Sequence, residues 1–262
     1  MSVRAAKIPP AVTELVGTLI AAIREALPDN LTGAYVCGSL ALGGFDPKTS
    51  DIDVLVVTER AVSDAEFEAL KALHERIPLD ADGKRPEYEV YYVDRETIRR
   101  FEPGQQHVKA EPGFGVYRTE HRAGWVIERW VVREHGVTLA GPDPKTLIEQ
   151  VSADEMREAA LGELRARQRN WAEGTWPREH LAYRGAQGFD VETVCRGRYT
   201  MATGKLCTKD EALDWAYDAL PAEFRPLIEF ARRYRKDWKA DETMVEEVLR
   251  MLAWAVDTAQ TR

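Results

Sequence analysis

The chain has 262 residues, 44% hydrophobic and 31% charged, with a formal net charge of −8. That is globular composition, with enough chain for one large domain or two ordinary ones, and it excludes a disordered or fibrous protein. The acidic balance excludes a general nucleic-acid surface, which needs clustered cations against phosphates, but leaves room for a local basic pocket around one nucleotide.

Taken in chain order, residues 10 to 27 place Val12, Leu15, Val16, Leu19, Ile20, Ile23 and Leu27 at helical spacing, and Pro28 ends the pattern. "LTGAYVCGS" predicts a short strand running into a Gly-Ser loop, and "DIDVLVV" a second strand. A helix is expected from Ser63-Asp64, then a turn at "DADGKR", a third strand at 88 to 94 and a short helix at "RETIRRFE". Residues 101 to 124, rich in Pro, Gly and charge, predict a surface loop with local turns. A helix and a short strand follow, ending at the Gly-Pro-Asp-Pro turn of 141 to 144. From Ser152, which with Glu155 forms a capping-box pattern, the periodicity predicts roughly five helices and no further strand. The expected fold class is α+β: a domain with a small mixed sheet over 1–150, then an all-α helical bundle over 151–262. Cys37, Cys195 and Cys207 lie far apart without a CxxC pair, which points to a reducing, cytoplasmic setting. The start lacks a leader pattern, and no window reaches the ~18 uninterrupted apolar residues of a spanning helix, so no membrane association is expected.

The informative stretch is "VCGSLALGGFDPKTSDIDVLVV", residues 36 to 57. Side chains alternate along a strand, so Asp51 and Asp53 share one side while Ile52 and Val54 take the other. Two carboxylates at that spacing repel unless a cation sits between them, and a hard cation such as Mg²⁺ takes carboxylate oxygens together with substrate phosphate. On the third strand Glu87, Glu89 and Tyr91 share a face. If that strand neighbours the second, a glutamate joins the cluster, as a metal ligand or as the group that takes a proton from an attacking hydroxyl. Gly38 permits close backbone approach, and Ser39 offers a hydroxyl and an N–H to phosphate oxygens. This is not a P-loop, since Gly44 stands where lysine is required after Gly43, and no GxGxxG opens a βαβ unit.

"GSLALGGFDPKTSDIDVLVV" resembles the signature of the nucleotidyltransferases of the DNA polymerase β superfamily. Within it, the chain is similar to the aminoglycoside 3''-(or 9-)adenylyltransferases, which inactivate streptomycin and spectinomycin. "REHGVTLAGPDPKTLI", "TVCRGRYTMATGKLCTKDEALDW" and "LPAEFRPLI" carry the narrower match, and the resemblance spans roughly residues 33 to 235. It implies a polymerase-β-like N-terminal domain and a helical C-terminal domain with ATP and acceptor bound between them. It further implies Mg²⁺, as two ions, on Asp51, Asp53 and Glu89, with Glu89 the catalytic base. Gly38, Ser39, Arg196 and Lys209 would then contact ATP. Expected partners are ATP and a small aminoglycoside acceptor, and the expected state is a monomer.

The sequence also departs from the family. Tyr117 stands where a family tryptophan serves streptomycin recognition, and a family tyrosine near ATP falls one position from Tyr234. The drug-facing acids lack a clear counterpart, which leaves Glu87, Glu120, Asp190 and Glu192 as acceptor-binding candidates for a cationic drug. Two alternatives stand beside the drug reading: a nucleotidyltransferase with another small-molecule or protein acceptor, and a non-catalytic, antitoxin-like binding module. Intact Asp51, Asp53 and Glu89 and a helical half of more than a hundred residues argue against the last.

Overall fold

The computed structural model describes residues 8–47, 49–77, 87–111 and 113–259. The chain divides into two compact units, Met1–Gln150 and Val151–Arg262. The "DADGKR" turn lies outside the described residues.

The first unit is built on a mixed six-stranded sheet in the order β5-β4-β3-β2-β1-β6. Its strands are β1 Leu31–Val36, β2 Ile52–Thr58, β3 Tyr88–Asp94, β4 Gln106–Glu111, β5 Gly115–Glu120 and β6 Val137–Ala140. β2 and β3 are parallel, and the other neighbouring pairs are antiparallel. A parallel pair needs a crossover, and α3 (Asp64–Glu75) lies on it, opened by a full Ser63–Glu66 capping box. With α1 (Pro10–Ala26) it covers one sheet face, where Leu19, Ile23, Leu70, Val54, Val56 and Val90 make a core with almost no exposed surface. Burying side chains of this size contributes about 1.5–3 kcal/mol each. Smaller helices complete the unit: α2 Gly38–Leu42, α4 Arg95–Arg99 and α5 Trp125–His135.

Two expectations are corrected. The Gly-Ser loop is the first turn of α2, which ends on Gly43 in the left-handed region (φ 79°). The loop expected over 101 to 124 contains a regular hairpin, β4–β5, whose turn uses Gly113 and Gly115 at positive φ. Its period-two pattern is masked by charge, because the hairpin lies at the sheet margin, where β5 keeps Tyr117 only half-buried and Arg118 and Glu120 exposed.

Three histidines are buried in this unit. The ring nitrogens of His74 are bridged to the hydroxyls of Tyr88 (3.0 Å) and Tyr92 (2.7 Å). His107 and His121 pack on Trp125, with ring centroids 4.4 and 4.0 Å away. Burial lowers His74 to about 4; it also lowers His107 and His121 to about 3, helped by Arg129. The native state thus holds neutral rings, whereas the unfolded chain protonates them near 6.5. Their contribution is complete above about pH 6.5 and is lost as pH falls towards the native values, roughly 2 kcal/mol per ring by about pH 5. Urea unfolding at about pH 7.5 and 5 should show that loss, and His107→Gln with His121→Gln should leave only the share of His74, about 2 kcal/mol. A parent protein equally stable at both values would refute it.

The second unit contains α6 Ala153–Ala172, α7 Arg184–Thr203, α8 Lys209–Ala219, α9 Arg225–Tyr234 and α10 Val245–Asp257. The Ser152–Glu155 capping box starts α6. α7 is central, and Val191 and Val194 from it meet Leu164, Leu213, Ile228, Met251 and Leu252 in one apolar core. No named strand follows residue 150 among the described residues. The three cysteines are free and buried. Among the described residues no helix is long and apolar enough to cross a membrane.

Candidate active site

The β2–β3 register places Asp53 directly beside Glu89 and Leu55 beside Tyr91. Asp51 precedes β2, and the Glu87 carbonyl accepts the amide hydrogen of Ile52 at 3.0 Å, tying the strand starts together. Parallel pairing therefore brings together carboxylates that are more than thirty residues apart in sequence. The Glu87 residue itself is exposed. Gly38 has φ 58°, and a β-carbon there would lie 1.8 Å from Oδ2 of Asp53. Both the backbone angle and the Asp53 carboxylate thus require glycine. Ser39 follows in the same turn, half-buried, its carbonyl accepting from the Gly44 amide at 2.9 Å.

Electrostatically this face is crowded with negative charge. Burial, then the neighbouring Glu128, Glu89 and Asp51, push the Asp53 carboxyl well above the usual range, while Lys109 pulls the other way. Oε2 of Glu89 accepts from the Tyr91 hydroxyl and lies 3.0 Å from the Lys109 ammonium, which also pairs with Glu111. Across the hairpin, Tyr117 lies opposite Lys109. Oxygen donors with surplus negative charge fit a hard divalent cation. A preformed cage of Asp51, Asp53 and Glu89 is not present. Among the described residues no three His, Cys, Asp or Glu side chains gather closely enough to hold a metal ion. Glu89 is turned to Tyr91 and Lys109.

In the second unit, Lys209 begins α8 and lies 3.3 Å from Glu192. Glu192 is 2% exposed and also pairs with Arg235, which reaches Asp210 at 2.8 Å. Arg196 lies one helical turn beyond Glu192 on α7, with a buried Nε that has no hydrogen-bond partner. Asp190, 1% exposed, takes the Arg167 guanidinium and the Trp171 indole N–H (2.8 Å). Neither Asp190 nor Glu192 presents an open carboxylate; both are buried and matched by cations. Tyr234 lies under the Arg184 guanidinium, 4.4 Å from its ring centre. Glu120 is exposed at the far end of β5.

Comparison with known proteins places this arrangement. Residues 18–109 match the nucleotidyltransferase domain family, and residues 146–255 match the aminoglycoside adenylyltransferase C-terminal domain family. The chain thus carries a nucleotidyltransferase domain followed by an aminoglycoside adenylyltransferase C-terminal domain. It is a nucleotidyltransferase. An aminoglycoside (3'') (9) adenylyltransferase of Klebsiella pneumoniae is 28% identical over 87% of this chain and 85% of its own length. A spectinomycin 9-adenylyltransferase of Staphylococcus aureus is 25% identical over 90% of this chain and 92% of its own. In fold, the chain resembles the crystal structure of a spectinomycin adenyltransferase from Enterococcus faecialis with ATP and spectinomycin, at TM-score 0.74 and 18% identity, covering 95% and 99% of the two chains.

The residues of these clusters that the sequence did not single out are Lys109, Glu111, Glu128 and Arg235. Lys109 and Glu111 lie in the segment read as a loop, where the alternation of β4 (buried Val108 and Ala110, half-buried Lys109 and Glu111) was the available signal. No sequence pattern links Glu128, on α5, to Asp53; packing of that helix does.

Proposed function

We propose that the protein transfers AMP from ATP to a hydroxyl of an aminoglycoside or aminocyclitol antibiotic of the spectinomycin and streptomycin type, with Mg²⁺ and release of pyrophosphate. The observation that carries this reading is the side-by-side placement of Asp53 and Glu89 on parallel strands, with Gly38 kept bare against the Asp53 carboxylate. The names of the relatives support the acceptor class.

In this reading Asp51 and Asp53 hold the magnesium, and Gly38 and Ser39 bind the triphosphate. Magnesium, when bound, supplies charge neutralisation for the phosphates and for the leaving pyrophosphate. Arg196 and Lys209 bind ATP phosphates, and buried Glu192 anchors Lys209 through its ion pair. Glu89 accepts the proton of the acceptor hydroxyl as its oxygen bonds to the α-phosphorus and the bond to pyrophosphate breaks. Tyr117, Glu87 and Glu120 are the acceptor-side candidates whose side chains are not buried.

A second reading keeps the chemistry and changes the acceptor. In its favour, Asp190 and Glu192 are already neutralised, so the helical unit offers a polycationic drug fewer open acids than expected. Incubation with labelled ATP, Mg²⁺ and a panel of spectinomycin, streptomycin and other aminoglycosides separates the two. The first reading expects labelled AMP on the drug, abolished in Asp53→Asn. Absence of transfer to every panel member would sink the antibiotic assignment. Transfer surviving Asp53→Asn would sink the metal role.

A further inference from the structure

The carboxylate assigned as base is gripped by a neighbour that the reaction does not otherwise use. Lys109 stands on β4 directly across from Tyr91, and its ammonium lies 5.4 Å from the centre of the Tyr91 ring. It reaches Oε2 of Glu89 at 3.0 Å on one side and Glu111 on the other. The same Oε2 accepts the Tyr91 hydroxyl. Two donors thus converge on one carboxylate oxygen.

This is not an ordinary surface pair. The Lys109 side chain is 17% exposed and that of Glu111 16%, so water and salt screen the contacts little. Burial alone would depress the ammonium, yet its hydrogen bond with Glu111 and the attraction of Glu89 hold it above the usual lysine range. The Lys109 ammonium is held between two carboxylates, Glu89 and Glu111. It also opposes the carboxylate repulsion felt by Asp53.

We propose that Lys109 is a positioning residue, braced by Glu111, that pins Oε2 of Glu89 and so leaves Oε1 to meet the acceptor hydroxyl. The inference rests on Glu89 as the base. The proton passes from the acceptor hydroxyl to Oε1 while the new P–O bond forms and pyrophosphate departs with the electrons of the broken one. Misplacement of a reacting group by about 1 Å can cost on the order of 10² in rate, which sets the scale for losing the pin.

A double-mutant cycle on the full chain tests this, reading ATP turnover with the best acceptor of the panel, or with water where none turns over. Lys109→Met is expected to lower kcat by about 10- to 100-fold with KM for ATP within about twofold. Lys109→Arg should restore most of the rate. In a Glu89→Gln background the same Lys109→Met change should cost less than about twofold, because the group it aims is gone. Equal losses in both backgrounds would make Lys109 a structural residue and overturn the proposal. So would an unimpaired Lys109→Met beside a slow Glu89→Gln, which leaves the base assignment intact. If Glu89→Gln turns over like the parent, the base assignment itself falls and this inference with it. Should Lys109→Met fold poorly, Glu111→Gln loosens the same lysine and is expected to lower kcat several-fold; an unchanged kcat there also counts against the proposal.

Discussion

Glu89→Gln is expected to slow adenylyl transfer by about 10²-fold or more, the usual scale for removing a general base, while ATP affinity stays within about twofold. Glutamine fills the same volume and can still accept from Tyr91 and Lys109 through its amide oxygen, so the local frame persists. It cannot take up a proton, so the loss falls on kcat. The register makes the test specific: Glu89 shares a face with Asp53, and a change of side chain there touches the carboxylate cluster and nothing in the opposite core. Measuring Mg²⁺-dependent ATP binding beside turnover separates two roles. If Glu89→Gln loses ATP binding in step with turnover, Glu89 is a metal ligand and not the base.

Replacing Arg129 by Met is expected to destabilise the N-terminal unit by about 4 kcal/mol, since several buried acceptors would lose their donor at about 1–3 kcal/mol each. Arg129 lies on α5 and is 1% exposed. Its Nε donates to the Ile98 carbonyl at 3.1 Å, Nη1 to Trp125 at 3.2 Å, and Nη2 to Thr97, to Arg100 at 3.2 Å and to the Gln105 side chain at 3.1 Å. Three of these carbonyls close the end of α4 (Arg95–Arg99), where backbone acceptors lack helical partners. No carboxylate is among these partners; burial lowers the guanidinium to about 10 and it stays charged at neutral pH. Arg129→Lys should recover little, because one ammonium cannot reproduce the planar fork. Thermal melting should fall by roughly 10 °C for a unit of this size. A shift of only a degree or so would refute the account.

The β4–β5 hairpin and Lys109 illustrate why some of the site could not be read from the chain alone. Strand β2 was plain in sequence because its apolar run is buried on both faces, as was β3 from its aromatic and β-branched content. The hairpin lies at the sheet margin, where charge obscures alternation, so Lys109 and Glu111 passed as loop residues. Asp190 and Glu192 show the same limit from the other side. As acids near a recognisable motif they suggested a drug-facing surface, whereas helix packing buries both against arginine and lysine. A carboxylate's partner is a fact of three-dimensional packing, and no local pattern encodes it.

By itself the sequence determined the α+β class, the change to helices after residue 150, the Gly-Ser and Asp-x-Asp signature, and Glu89 on a strand. These follow from short-range causes: periodicity, capping, and the two-residue alternation that sets Asp51 and Asp53 on one side. The tertiary structure alone decided that Glu89 lies beside Asp53, that Gly38 must stay bare because the Asp53 carboxylate occupies its β-carbon space, and that Lys109 grips Glu89. Each of these depends on which strand pairs with which, and in what register. That pairing is selected by burial of the whole apolar face, a sum over the unit that no single segment carries.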